Sequence, residues 1–537
     1  MRTIALLLSV ALATPAHAAA ARAPAAMPAQ LARIADEGFN HSQVMQTSQY
    51  LDDRIGGRMT GSPAMRAAEA WTQQRFRDWG LSNVHKEGFA FGRGWSIDHV
   101  GVRMTVPRVI ELRAIPIAWT PSTAGPVSAP ILVAPMKRER DMDQYRGKLR
   151  GKIVLTDLPS SGSEQTKPAF ERVSAEDLNK AEAYPVPTHG PDALPKFVRR
   201  FQVQEKIDAF LKAEGAVARV RQSYRDGGLL HGEGYAFAHG YQLPGVELAA
   251  EDYRRLARLA TTGPVMLEID SRTTFHDGDP QAYNIIADIP GTDPKAGYVM
   301  AGGHLDSWVA GDGAADDGAG VVSVMEAARI LSHLGVRPKR TIRFALWAGE
   351  EQGLLGSKAY VEQHIARRPP APAGTDGLTD YFLYARRFPV TTLPDYDRLA
   401  GYFNIDNGSG KLRGIYAEGN LAAMPALTEM IAPLHSMGVE RVVASTTEGT
   451  DHQFMAAIGL PAFQFVQDPL DYESRVHHSS VDTYDHLKAE DLRQASVVLA
   501  SILLQAADRA EPLPRGPLPT RPERTDPFTY PDPEDAD

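Results

Sequence analysis

Four clusters of histidine and carboxylate side chains in the 537-residue sequence could bind a metal or move a proton. Each lies where an apolar, strand-like run ends or where a helical pattern begins. Carboxylates that end a buried strand need a metal or a cation as partner, and histidines accompany the acids, so the set suits a pair of zinc ions. In chain order the clusters are His304 with Asp306 and Asp316, Glu350 with Glu351, Asp406, and His477 with His478.

Each cluster alone also has a plainer interpretation. An aspartate before a helix, such as Asp316, commonly caps that helix, and adjacent acids at a strand end are commonly solvated. A calcium loop in the Asp-Gly-rich run fails because Ala314 stands at its second ligand position. A nucleophilic Gly-x-Ser-x-Gly elbow, a phosphate-binding loop and a His-Glu-x-x-His helix do not occur in the sequence. Metal-dependent chemistry therefore has no close rival.

Composition narrows the chemistry further. The chain is 43% hydrophobic and 23% charged, which indicates large buried cores rather than a disordered or fibrous protein. It contains no cysteine, which excludes thiol nucleophiles, disulfides and cysteine-bound metals, so His, Asp and Glu must supply any metal ligands. The net charge of −9 gives no basic excess for binding nucleic acid.

The elements that position these clusters follow an α/β pattern. Strand-like runs at 284–289, 298–303 and 341–347 alternate with a helical run at 320–334. This alternation predicts a three-layer α/β domain, in which His304 stands at the end of a strand, where open α/β sheets place their ligands.

The remaining sequence predicts a secretory signal, a second domain and a C-terminal tail. A basic start, an apolar stretch and Ala16-His17-Ala18 indicate a secretory signal over 1–18, hence export to the periplasm or outside the cell. No later stretch is long and apolar enough to predict a membrane span. A helix is predicted at 63–79, with Ala67, Ala70, Trp71 and Phe76 on its inner face. The predicted division is a signal at 1–18, an N-terminal helical part at 19–101, a β-rich domain at 102–269, an α/β domain at 270–510, and a disordered, Pro-rich acidic tail at 511–537.

The order of the clusters resembles the M28 family of zinc exopeptidases. The run 302–363, with Gly-His-Leu-Asp-Ser-Trp and Leu-Trp-Ala-Gly-Glu-Glu-Gln-Gly, is similar to its plasma glutamate carboxypeptidase (carboxypeptidase Q) branch. The resemblance implies a phosphorylase/hydrolase-like zinc-exopeptidase domain with a protease-associated (PA-like) insert at 102–269. It also implies a homodimer.

The resemblance further implies a role for each site residue. Two zinc ions would be bound and a hydroxide bridging them would attack the peptide bond. His477 stands where several relatives have tyrosine, and would stabilise the transition state or be an exposed histidine. Asp451 and His452 match a motif near the substrate, with roles left open. The remaining roles are His304 and Asp406 on one zinc, Glu351 and His478 on the other, Asp316 bridging them, Glu350 as general base, and Asp306 as the carboxylate that orients the His304 ring.

The function implied is an exported metallo-exopeptidase acting on dipeptides or short peptides, with the carboxypeptidase or dipeptidase direction favoured. An aminopeptidase of the same family is the alternative, because local sequence does not identify the group that anchors the free terminus. A one-zinc glutaminyl cyclase and a non-catalytic, receptor-like protein are weaker alternatives, since none of the expected ligands is missing.

Overall fold

The computed structural model describes residues 29–163, 165–183, 194–373, 375 and 377–522. The predicted signal at 1–18 lies outside the described residues, as does the predicted tail from 523 onward. None of the helices in the described ranges combines the length and the apolar character that a membrane crossing requires.

An eight-stranded mixed sheet carries the predicted strands. Those predicted at 298–303 and 341–347 are present as Tyr298–His304 and Thr341–Trp347, which run parallel. Leu399–Asn404 lies parallel on the other side of Tyr298–His304, so three neighbouring strands end at one edge. In spatial order the sheet consists of Ser82–Ala90, Gln281–Ile289, Thr341–Trp347, Tyr298–His304, Leu399–Asn404, Ala462–Gln467, Leu412–Tyr416 and Arg441–Val443.

Side chains of the central strand alternate between two cores. Val299 and Ala301 belong to a core that includes the helix Ala319–His333, whereas Tyr298 and Met300 belong to a separate core on the opposite face. This alternation is expected of a strand, whose successive side chains point to opposite faces. The sheet therefore lies between two layers, and the predicted three-layer α/β fold is confirmed.

A second eight-stranded sheet occupies residues 94–276, which we call the middle region. Its longest pair, Gly94–Val106 with Met266–His276, is antiparallel and extends beyond the predicted 102–269 span. The domain division itself stays a prediction. In spatial order the strands are Ile110–Glu111, Gly94–Val106, Met266–His276, Val127–Val133, Ile153–Leu155, Ala218–Gln222, Gly245–Leu248 and Ala114–Pro116. A separate two-stranded sheet outside the middle region pairs Ala366–Arg367 with Thr391–Thr392.

Helices cover both sheets. The longest two, Leu194–Ala213 and Ala489–Asp508, have 20 residues each, within the range usual for globular proteins. The α-helices are Ala29–Asn40, Val44–Gln49, Pro63–Asp78, Ala175–Glu182, Leu194–Ala213, Ala250–Ala260, Ala319–His333, Leu355–Tyr360, Gly377–Tyr384, Asp395–Arg398, Met424–Ile431, Gln453–Ala456 and Ala489–Asp508. Short 3-10 or π-helical turns occur at Tyr50–Ile55, Glu139–Tyr145, Ala314–Gly318, Val361–Ile365, Leu421–Ala423, Ala432–Met437, Tyr472–Val476 and Tyr484–His486.

The helix predicted at 63–79 is present as Pro63–Asp78, and its predicted inner face is correct in part: Phe76 is buried, and Trp71 is partly buried against the core. Ala67 and Ala70 are not among the residues it buries. The prediction counted only apolar side chains, whereas this helix buries polar ones that have partners. The hydroxyl of Thr72, for example, donates to a main-chain oxygen of its own helix at 2.8 Å. The buried residues are Met65, Ala68, Glu69, Thr72 and Phe76.

Candidate metal centre

The parallel strands bring three of the four clusters to one edge of the first sheet. His304 is the last residue of its strand, and Asp406 closely follows the neighbouring strand Leu399–Asn404. Glu350 and Glu351 follow Thr341–Trp347, on the other side of His304. Because parallel strands end at the same edge, residues far apart in sequence become neighbours there.

Two groups of candidate ligands share one aspartate. Nε2 of His304 lies 3.2 Å from Oδ1 of Asp316 and 3.6 Å from Oδ1 of Asp406. Nε2 of His478 lies 3.4 Å from Oδ2 of the same Asp316 and 3.1 Å from Oε2 of Glu351. One carboxylate thus faces both groups, one oxygen to each. The structure brings together the five residues predicted as ligands.

The loop that carries Asp316 is fixed from outside. The carboxylate of Asp482 accepts hydrogen bonds from the main-chain NH groups of Ala315 and Asp316, at 2.7 and 3.1 Å. The guanidinium of Arg58, fully buried, donates to three main-chain oxygens of the same segment. These oxygens belong to Leu305 at 2.8 Å, Asp312 at 2.7 Å and Gly313 at 2.8 Å.

Asp317, to which the sequence analysis assigned no role, joins the strand end to the following helix. Its carboxylate accepts from the NH of His304 at 3.1 Å and from the NH of Gly320 at 3.0 Å. A Cβ at Gly320 would lie 2.3 Å from Oδ1 of Asp317, and one at Gly303 would lie 2.5 Å from its Oδ2. Both glycines are therefore needed for this close approach.

The Nδ1 atom of His304 lies closest to the main chain of Asp306, whereas the sequence analysis expected the Asp306 carboxylate as its partner. This Nδ1 lies 2.9 Å from the main-chain oxygen of Asp306, whereas the Asp306 carboxylate is 3.8 Å away. That carboxylate instead accepts from the NH groups of Glu350 and Glu351, at 3.2 and 3.3 Å, and from the hydroxyl of Thr60 at 3.0 Å. Asp306 thus links the histidine to the acidic pair, with its main chain facing one and its side chain the other.

The ring of His478 has a partner that the sequence analysis missed. Its Nδ1 lies 2.9 Å from Oε1 of Glu233, in the middle region, and the hydroxyl of Tyr224 donates to the same oxygen at 3.0 Å. Burial alone would raise the pKa of Glu233, but the hydrogen bond and positive charge of His478 outweigh it and lower this pKa to about 2. Only the two glycines that flank Glu233 in the sequence hinted at an unusual local backbone.

Burial and like charges shift the acidic pair. Burial raises the pKa of Glu350 well above its usual value, His304 opposes this shift, and the negative charge of Asp406 adds to it. Burial likewise raises the pKa of Glu351 to about 7, against the opposing charge of His478. Without a bound cation, the surroundings therefore favour the protonated forms of Glu350 and Glu351, as expected where several carboxylates converge.

Two buried oxygens at the centre lack a hydrogen-bond partner within the described residues: Oδ2 of Asp316 and Oε1 of Glu351. An unpaired buried carboxylate oxygen is costly unless a cation faces it. The candidate ligand atoms are imidazole nitrogens and carboxylate oxygens, both of which zinc binds. The residues present therefore fit a bound zinc.

A cavity of about 420 Å³ opens over these residues, and the candidate ligands and Glu350 all line it. Phe201 and Tyr235 of the middle region line it as well, together with Glu448 and Glu473. Among the described residues that line the cavity, none is a lysine or an arginine. The middle region thus forms part of the cavity wall. The two described charged residues that line the cavity besides the candidate ligands and Glu350, namely Glu448 and Glu473, are acidic.

The three residues whose roles the sequence left open lie at different depths. His477 lines the cavity, with Nε2 3.7 Å from Oδ2 of Asp316. Asp451 and His452 are buried and do not line the cavity. Asp451 accepts from the hydroxyl of Ser357, and Nε2 of His452 lies 3.3 Å from Oε1 of Glu418. The geometry therefore leaves only His477 of the three within reach of a substrate.

Comparisons with known proteins show which proteins the chain is similar to. Residues 284–503 match the sequence model of peptidase family M28. The chain is 27% identical to carboxypeptidase Q of Mus musculus over 87% of this chain and 86% of that protein. Among solved structures, a peptidase M28 precursor from Shewanella amazonensis is 22% identical, covers 92% of this chain and 98% of its own, and has a TM-score of 0.64. The zinc aminopeptidase BSAP from Bacillus subtilis is 19% identical, covers 87% of this chain and 95% of its own, and has a TM-score of 0.55.

Proposed function

Since residues 284–503 match the sequence model of peptidase family M28, we propose that the chain is an exported exopeptidase of this family that uses two zinc ions to hydrolyse dipeptides or short peptides. The observation that carries the proposal is Asp316, whose two oxygens face two separate groups of candidate ligands. A carboxylate that faces both groups could hold two metal ions close together, the arrangement that two-metal hydrolases use. A homodimer, implied by the resemblance, remains part of the proposal.

The chain's own residues supply the proton transfers. Bound zinc would polarise the scissile carbonyl and lower the pKa of the attacking water. The carboxylate of Glu350 would accept a proton from that water and deliver it to the leaving amine. Glu350 lines the cavity beside His304, with Oε2 3.9 Å from Nε2 of the ring.

The direction of cleavage depends on which substrate terminus the cavity holds. The carboxypeptidase Q relative supports the carboxypeptidase or dipeptidase direction favoured by the sequence. The charge of the cavity supports the other end, because Glu448 and Glu473 can pair with an ammonium group and no cation among the described lining residues can pair with a carboxylate. A dipeptidase that anchors the free amino group satisfies both observations, and we propose this activity.

Dipeptides blocked at either end test the proposal on the full chain. We expect the C-amidated dipeptide to be cleaved, the N-acetylated one to resist, and elemental analysis to find two zinc ions per chain. Treatment with a chelator should abolish cleavage. Cleavage of the N-acetylated dipeptide alone would instead establish a carboxypeptidase, one zinc per chain would favour a glutaminyl cyclase, and absence of both zinc and cleavage would favour a receptor-like protein.

A further inference from the structure

Within the function proposed above, on which this inference rests, we propose that Glu233 of the middle region is a positioning residue for His478. Its carboxylate holds the imidazole so that Nε2 faces Glu351 and Asp316. The distances are 2.9 Å from Nδ1 to Oε1 of Glu233, 3.1 Å from Nε2 to Glu351, and 3.4 Å from Nε2 to Asp316. Glu233 therefore contacts His478 through Nδ1, whereas Nε2 of the same ring faces the other candidate ligands.

The two candidate histidine ligands differ in how they are held. His304 has a main-chain oxygen of nearby Asp306 as its Nδ1 partner. His478 has a side-chain carboxylate from a distant part of the chain, outside the 284–503 span. An ionised carboxylate can only accept, so Nδ1 donates to Glu233 and Nε2 is the nitrogen that would lose its proton to bind a metal. Such a partner also makes the ring a stronger metal ligand.

Glu233 is itself fixed by its neighbours. The hydroxyl of Tyr224 donates to its Oε1 at 3.0 Å, and the guanidinium of Arg221 donates to its main-chain oxygen at 2.7 Å. The preceding residue, Gly232, has a positive φ, a conformation that few other residues adopt without cost. The carboxylate is therefore held before any ligand binds.

Residues 225–230 of the middle region form hydrogen bonds with the chain on both sides of His478. The guanidinium of Arg225 donates to the main-chain oxygen of His477 at 2.8 Å. On the other side, the NH of Ser480 donates to the main-chain oxygen of Leu230 at 2.8 Å, and its hydroxyl accepts from the NH of Leu230 at 3.2 Å. His478 itself has a positive φ, and a residue with a side chain keeps that conformation only where its surroundings hold it.

Glu233→Gln in the full chain tests the proposal, because it keeps the shape and removes the charge. We expect one of the two zinc ions to bind about 10- to 100-fold more weakly, with the other unchanged. A chelator-competition titration with zinc alone measures both affinities, and thermal unfolding of the zinc-free protein should be unchanged. A merely structural role for Glu233 would lower that unfolding temperature and leave the zinc affinities as they are.

Two further variants keep the test decisive. Glu251→Gln is the matched control: this carboxylate accepts from the NH groups of Gly227 and Gly228 in the same segment, and it is not among the partners of His478. It should leave both affinities unchanged. Tyr224→Phe, at a position 58% exposed and therefore tolerant of change, should weaken the same zinc ion by a smaller factor.

Unchanged zinc affinities in Glu233→Gln, or an equal loss in Glu251→Gln, would overturn the inference while leaving the proposed function intact. Fewer than two zinc ions in the unmodified protein would overturn the proposed function, and the inference with it. A loss confined to one zinc ion in Glu233→Gln and Tyr224→Phe supports both.

Discussion

The first sheet and the middle region contribute to one cavity by different routes. In the first sheet, His304, Glu351 and Asp406 meet because parallel strands end together, so their proximity follows from topology. In the middle region, Tyr235 lines the cavity and Glu233 contacts His478 because that region docks against the 477–480 turn. Contacts of the first kind depend on one sheet alone, whereas contacts of the second kind require two parts of the chain to pack together. We expect variants in the first sheet to abolish chemistry, and variants in the middle region to change binding.

The largest expected effect lies at the sheet edge. Glu350→Gln should reduce kcat by at least about a hundredfold, because the general base is lost, while elemental analysis still finds the zinc content of the unmodified protein. The rim acid Glu448 provides the control, because it lines the same cavity. Glu448→Gln should change KM more than kcat. A near-normal kcat in Glu350→Gln would contradict the role of general base.

An intermediate effect is expected where the middle region lines the cavity. The ring of Tyr235 packs on Phe201 and Trp308, with centroids 4.7 and 5.6 Å apart. Tyr235→Ala should raise KM for a dipeptide about tenfold, which corresponds to about 1.4 kcal/mol, with a smaller change in kcat. Tyr235→Phe keeps the ring and should change KM much less. An unchanged KM in Tyr235→Ala would mean that the middle region does not contact the substrate.

The smallest expected effect lies at a contact between the two parts whose residues do not line the cavity. Nη1 of Arg172 lies 2.6 Å from Oδ2 of Asp468 and 2.8 Å from Oδ2 of Asp491, and both acids are buried. Arg172→Ala should lower the free energy of unfolding by about 1 kcal/mol, since the arginine is partly exposed, and leave kcat/KM nearly unchanged. Denaturant unfolding measures the first quantity.

The matched control for Arg172→Ala is Arg103→Ala, whose partner Glu268 is also accessible to solvent. This variant should change the free energy of unfolding by less than about 0.5 kcal/mol. A loss in kcat/KM comparable to that of Tyr235→Ala would show that the Arg172 contact also sets the shape of the cavity.

The same contrast explains how much the sequence predicts. The strands around His304 and the convergence of Asp316, Glu351 and Asp406 follow from periodicity and strand order, which are local signals. Glu233 could not be found this way, because no local pattern records which distant segment will pack against a turn. Ala67 and Ala70 were wrongly assigned to the inner face of Pro63–Asp78 because the prediction counted only apolar side chains, whereas polar side chains such as Thr72 are buried there once hydrogen bonds satisfy them.

The buried guanidinium of Arg58 bears on how the protein can be produced in parts. It is the donor for main-chain oxygens of Leu305, Asp312 and Gly313, yet it lies far upstream of the span that matches the family. A fragment limited to residues 284–503 would leave these three oxygens without that donor, in the loop that presents Asp316. The smallest expressible unit with an intact site therefore has to begin upstream of Arg58 and to retain the intervening middle region.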